Sequence, residues 1–118
     1  MVIGSCGDPD HRVGFVACDG NATLHTLDLD TYQTSNPQQV GDTHDVLAFD
    51  PGMGRLYVAA ESGTITVLAE TNRQLTVLGS GHLADGAHVV AVDPATHRSY
   101  YPIAQGPDDH PQLLVQAP

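Results

Sequence analysis

Three features of the sequence predict an all-β fold built from a repeated unit: a segment that occurs three times, short apolar runs with period-two alternation, and turn residues between those runs. The segment Asp50-Pro51-Gly52-Met53-Gly54-Arg55-Leu56-Tyr57-Val58 returns as Asp93-Pro94-Ala95-Thr96-His97-Arg98-Ser99-Tyr100-Tyr101. An earlier copy is Asp8-Pro9-Asp10-His11-Arg12-Val13-Gly14-Phe15-Val16. Arg12, Arg55 and Arg98 stand 43 residues apart in both steps. Val46-Leu47-Ala48-Phe49 and Val89-Val90-Ala91-Val92 each lead directly into Asp-Pro. No long stretch keeps an apolar 3.6-residue period, so helix is not expected.

The middle unit justifies each element in turn. Its strand A is residues 45–49, and Pro51 with Gly52 and Gly54 turns the chain by fixing one φ and permitting positive φ at another position. Strand B, residues 55–60, stops at the hairpin signal Ser62-Gly63. Strand C, residues 64–69, alternates Thr64 and Thr66 with Ile65 and Val67, the mark of a strand with one face buried. Asn72-Arg73 turns the chain into strand D at residues 75–78. The same reading puts strands near 12–17 and 23–29 in the first unit, and near 89–92, 98–103 and 112–116 in the third. Val2 to Cys6 makes a poor strand A, and no fourth strand is evident after Val115. Four antiparallel strands in a unit of this length form one blade of a propeller, since such a sheet hides its two faces only against neighbours around an axis. The predicted architecture is an incomplete β-propeller of about two and a half to three four-stranded antiparallel blades, in units of about 1–41, 42–84 and 85–118.

The order apolar strand, Asp-Pro, basic residue, then Leu56-Tyr57-Val58-Ala59 resembles the YVTN-type repeats of bacterial seven-bladed, lactonase-like propellers. Arg98-Ser99-Tyr100-Tyr101-Pro102-Ile103 with Gln112-Leu113-Leu114-Val115 resembles the last blade of such proteins. The resemblance implies a C-terminal portion of a larger ring. It also implies a central channel ringed by the N-terminal ends of the A strands, and a family whose members are often periplasmic or extracellular. A ring needs about four to eight blades, so exposed blade faces and a free strand edge are expected, and with them self-association or pairing with other propeller blades.

Composition narrows the partners. Four basic residues, all Arg, against fourteen acidic ones leave a formal charge of −10, which phosphate backbones and anionic membranes would repel. Nucleic acid and membrane are therefore excluded as expected partners. Met1 to Gly7 has neither the basic start nor the apolar run of a signal peptide, and no stretch is long and apolar enough to span a bilayer. Cys6 and Cys18 are too few for a disulfide framework or a zinc site, and they are not expected to pair.

Seven histidines are the first place to look for acid–base or metal chemistry. His44 and His88 open the second and third A strands, and His82 lies on the loop that enters the third. The resemblance puts these positions at the channel mouth, so His44, Asp45, His82, Asp85 and His88 are the weak candidates for a ligand site, with no catalytic residue, no metal and no cofactor assigned. His11, His25, His97 and His110 lie in turns, a strand interior and a Pro-rich loop. Asp8, Asp50 and Asp93 each precede Pro, where Asp bonds the backbone two residues on. Arg12, Arg55 and Arg98 are expected to open strand B and to meet acids. Gly79-Ser80-Gly81-His82-Leu83-Ala84 matches a dinucleotide fingerprint but has no helix to follow it. Asp28-Leu29-Asp30 departs from a calcium loop at Tyr32, and Asn21-Ala22-Thr23 fits a glycosylation sequon in a turn. A covalent serine nucleophile is not supported.

The expected function is a non-catalytic binding or interaction module. The alternative is part of a lactonase-like or metal-assisted hydrolase whose site lies at the channel mouth.

Overall fold

The computed structural model describes residues 2–18, 23–34, 38–40, 44–106 and 109–118. Their eleven strands form three antiparallel sheets, each a simple meander, and no helix occurs among them. The first sheet orders β1 (Val2–Asp8), β2 (Val13–Cys18), β3 (Thr23–Asp28) and β4 (Gln38–Gln39). The second orders β5 (His44–Asp50), β6 (Arg55–Ala60), β7 (Thr64–Thr71) and β8 (Gln74–His82). The third holds β9 (Ala91–Val92), β10 (Ser99–Ile103) and β11 (Gln112–Gln116). The first strands β1, β5 and β9 lie beside one another in chain order, which makes the three sheets consecutive blades of a propeller. Three blades are fewer than close a ring.

The middle blade shows why the sequence folds this way. Strand alternation sends Leu47, Phe49, Leu56, Val58 and Leu68 to one face, where they meet Val13, Phe15, Ala17 and Leu24 of the first blade. Val46, Ala48, Tyr57, Ala59, Ile65 and Val67 go to the other face, against Val90, Tyr101 and Ile103 of the third. A strand whose two faces are both apolar needs a cover on each side, which a single sheet cannot supply. Phe15 and Phe49 meet across the first junction with ring centroids 5.1 Å apart and planes tilted by 44°.

Several boundaries differ from the sequence expectations. The poor strand A of the first unit is a full seven-residue strand. Its ladder with β2 pairs Gly4, Ser5, Cys6 and Gly7 with Ala17, Val16, Phe15 and Gly14, and backbone pairing does not require an apolar pattern. For the same reason the polar pair Gln38–Gln39 closes the outer edge of that blade. β9 is shorter than expected, because Val89 and Val90 precede the paired segment.

The repeat register also needs a correction. Asp8 faces Val13, Asp50 faces Arg55, and Asp93 donates its N–H to the carbonyl of Arg98. Each turn therefore closes on the residue five after its Asp, and the residue just before that one has positive φ: Arg12 at 52°, Gly54 at 63° and His97 at 63°. Arg12 thus matches Gly54 and His97, not Arg55 and Arg98, because hairpin hydrogen bonding and not side-chain identity sets the repeat.

An apolar, uncharged run such as Val13 to Ala17 is expected from the sequence to be exposed and association-prone, like Leu113 to Val115, and the structure overturns that for β2. Val13, Phe15 and Ala17 are wholly buried, since they point at the second blade. The β1–β2 ladder puts Cys6 opposite Phe15, three positions from Cys18. Cys6 is a free thiol whose pKa burial pushes up to about 11, and the Cys18 side chain lies outside the described residues.

Candidate functional site

The third blade has one face packed and one face open. Ser99, Tyr101 and Ile103 of β10 are buried toward the second blade, with Leu114 of β11 beside them. The residues between them must point the other way. The β10–β11 register pairs Tyr100 with Val115 and Pro102 with Leu113, so these four side chains share the outer face. Leu113 is 58% exposed and Val115 48%. Leu113-Leu114-Val115 is an apolar run in a strand, a pattern that suits a strand covered on both faces. Among the described residues only one of those faces is covered. A cavity of about 590 Å³ adjoins the face, with His88, Val89, Pro102, Pro111 and Leu113 on its walls. The far side of β11 pairs with no strand among the described residues.

The five residues expected at the channel mouth fall in different places. His44 opens β5 and is paired with Ala60, while His82 ends β8 and is paired with Thr64. Both lie at the same end of the second blade, but on its first and fourth strands, about 14 Å apart at three inter-strand spacings. The side chains of His44 and Asp45 lie outside the described residues. His82 Nε2 comes within 3.1 Å of Asp85 Oδ1, at a fully exposed carboxylate. Asp85 borders a cavity of about 430 Å³ with Leu83, Ala84, Ile103 and Leu114, whereas His88 borders the other cavity. Of the three whose side chains are described, the structure brings together His82 and Asp85.

The Asp-Pro carboxylates do the structural work expected of them, and more. Asp50 Oδ1 accepts the N–H of Gly52 and Asp93 Oδ1 that of Ala95, each at 2.9 Å. The bond to Ala95 is the chief reason the Asp93 carboxyl is held below its usual range. Asp50 is fully buried, and its Oδ2 meets His97 Nδ1 of the next blade at 2.6 Å. The sequence places His97 in a turn; its partner is remote in the chain, and no spacing rule points to it. Asp8, equally buried, is met instead by His11 of its own turn.

A charged strip joins the first two blades. Arg12 pairs with Asp30, and Arg73 reaches Asp28 at 3.2 Å and Asp30 at 3.0 Å while donating from Nε to the His11 carbonyl at 2.9 Å. The N–H groups of Asp30 and Thr31, bonded to Asp28 Oδ1, hold the Asp28 carboxyl below its ordinary value, with Arg73 adding to the effect. These carboxylates face arginines, which leaves the Asp28-Leu29-Asp30 segment unsuited to calcium. The fingerprint-like glycines Gly79 and Gly81 lie inside β8, an extended outer strand, and not before a helix. Asn21 lies outside the described residues.

This arrangement of meandering four-stranded sheets around their first strands is that of a β-propeller. Solved structures agree. The chain resembles a chain of the mitotic checkpoint complex with a TM-score of 0.77 at 11% identity, covering 99% of this chain and 36% of that one. It resembles the Cps50 (Swd1) β-propeller domain of Myceliophteria thermophila with a TM-score of 0.71 at 9% identity, covering 98% and 41%. A chain of the nidogen/laminin complex matches with a TM-score of 0.68 at 17% identity, covering 98% and 44%. The chain thus spans less than half the length of each. No family model matches the sequence, and no curated protein matches it.

Proposed function

We infer that the chain is a protein-interaction module made of propeller blades, and that the outer face of its third blade is the surface it offers. The observation that carries this is the Tyr100, Pro102, Leu113 and Val115 face, apolar and open beside a free strand edge. Its occupant is a further propeller blade, because a blade of the same kind covers the equivalent faces at the two internal junctions. Two of the structural neighbours, the checkpoint and nidogen/laminin chains, come from protein complexes, which supports a role in assembly. The Leu56-Tyr57-Val58-Ala59 run supports a finer placement among YVTN-type, lactonase-like propellers.

Light scattering across a dilution series tests the reading. The 118-residue chain is expected to associate, and Leu113→Glu with Val115→Glu is expected to shift it toward monomer while the far-ultraviolet dichroism stays that of β-sheet. A compact, cooperatively melting monomer down to micromolar concentration would overturn it.

A further inference from the structure

The junction between the first and second blades contains a donor set that the sequence does not announce. Asp8 ends β1, His11 lies in the turn that follows, and Glu70 comes from β7 of the next blade. One ligand-capable atom from each lies within 4.8 Å of the other two. His11 Nδ1 is 2.6 Å from Asp8 Oδ2 and 3.3 Å from Glu70 Oε2. The two carboxylate side chains are 3% and 1% exposed, whereas the imidazole is 62% exposed.

This cluster is under-satisfied in a specific way. Glu70 Oε1 accepts the backbone N–H of Arg73 at 2.9 Å, which fixes the carboxylate with Oε2 facing His11 Nδ1. A single imidazole nitrogen then faces two buried carboxylate oxygens, and its one proton can serve one of them well. The Asp8 bond takes it at 2.6 Å, so Glu70 Oε2 is left buried with no donor of its own among the described residues. Two carboxylates against at most one imidazolium also leave an excess negative charge where the dielectric is low, and such a pair favours a cation. The next junction provides the contrast. There Asp50 meets His97 alone, one carboxylate to one imidazole. The position matching Glu70 in the first blade is Leu29, since Leu29 donates its N–H to the carbonyl of Arg12 and Glu70 donates its own to that of Gly54, the positive-φ turn residue in each case.

We propose that Asp8, His11 and Glu70 form a site for a first-row divalent cation, two oxygens and one nitrogen from the protein with water completing the shell. Imidazole with carboxylate is a donor set that zinc and manganese accept. The buried carboxylates form a fixed floor, and the exposed imidazole has room to move the few tenths of an ångström that coordination in place of a proton requires. A solvent-open cavity of about 330 Å³ bordered by Asp10, His11, Asn72 and Arg73 gives the ion its entry and its waters their space. Binding would tie the turn of one blade to the third strand of the next. It would place metal affinity at a blade junction and not at His44 and His88.

Calorimetry with zinc chloride, and separately with manganese chloride, on the chelator-treated 118-residue chain tests this. One equivalent is expected to bind, and the thermal midpoint is expected to rise with metal concentration, as for any ligand held by the folded state alone. His11→Ala and Glu70→Gln should each weaken binding by at least about tenfold, the lower end of what losing even an outer-shell partner of a metal ligand costs. Glu70→Gln keeps the acceptor for the Arg73 N–H, so it serves as the variant least able to fail by misfolding. His97→Ala and His88→Ala should leave the affinity unchanged. The proposal falls if neither metal binds at millimolar concentration, if both His11→Ala and Glu70→Gln bind as the parent does, or if His88→Ala abolishes binding.

Discussion

Replacing Phe15 by Ala probes the claim on which the architecture rests, that neighbouring blades share a core. Phe15 is wholly buried, and its ring lies 5.1 Å from that of Phe49 in the adjacent blade. Removing it deletes apolar surface and leaves a cavity between two sheets that cannot close independently, a loss of about 3–5 kcal/mol. Roughly 0.5–1.5 kcal/mol of that belongs to the ring pair itself. Domains of this size carry about 5–15 kcal/mol in all, so the variant should lose a large share of its stability. Urea unfolding followed by circular dichroism reads the change, at one fixed protein concentration because association contributes to the midpoint. Tyr32→Ala is the control: Tyr32 is 77% exposed, and its loss should cost less than about 0.5 kcal/mol. A Phe15→Ala loss below about 1 kcal/mol would refute the shared core, and with it the stacking of the first two blades.

Two further outcomes follow from local geometry and charge. Gly63 has φ +85°, and a Cβ there would lie 1.9 Å from the Ala84 carbonyl oxygen, so Gly63→Ala should cost about 1–3 kcal/mol in backbone strain with the clash in addition. Gly79, with nothing near a built Cβ, should instead gain up to about 1 kcal/mol on the same change, and urea midpoints that fail to move in opposite directions would contradict the turn geometry. Asp28 and Asp93 have folded pKa values lowered from 3.8, chiefly by backbone N–H groups of Asp30 and Ala95. Their stabilisation is complete above the unfolded value and is lost as pH falls through the lowered folded values. The urea midpoint should therefore fall as pH drops below about 4, less steeply in Asp28→Asn than in the parent; parallel pH profiles would show that these carboxylates do not contribute.

The sequence by itself determined what depends on neighbours in the chain. Strand B of the middle unit was legible at residues 55–60 because Leu56 to Ala60 is apolar throughout and bounded by Gly54 and Ser62-Gly63, and β6 spans those residues. The Asp-Pro turns were legible for the same reason, since an Asp oxygen bonds an N–H two residues away whatever lies elsewhere. Strands with no apolar pattern were not. β1 and the pair Gln38–Gln39 exist through backbone pairing, which leaves little trace in side-chain identity.

Tertiary structure alone decided the rest, because it concerns which blade face meets which. Val13, Phe15 and Ala17 look like Leu113 and Val115 as strings of apolar residues, yet the former are enclosed and the latter exposed, a distinction set by what packs against each strand. The channel-mouth histidines were grouped by position within the repeat. The sheet separates His44 from His82 by three strand spacings, because a four-stranded meander carries its first and last strands to opposite edges. Conversely, His11 meets Glu70, 59 positions along the chain, and His97 meets Asp50, 47 positions back, because packed blades bring one unit's turn against the next unit's strands. A local reading of the chain has no access to such pairings, and they are the ones that set an imidazole against buried carboxylate at each blade junction.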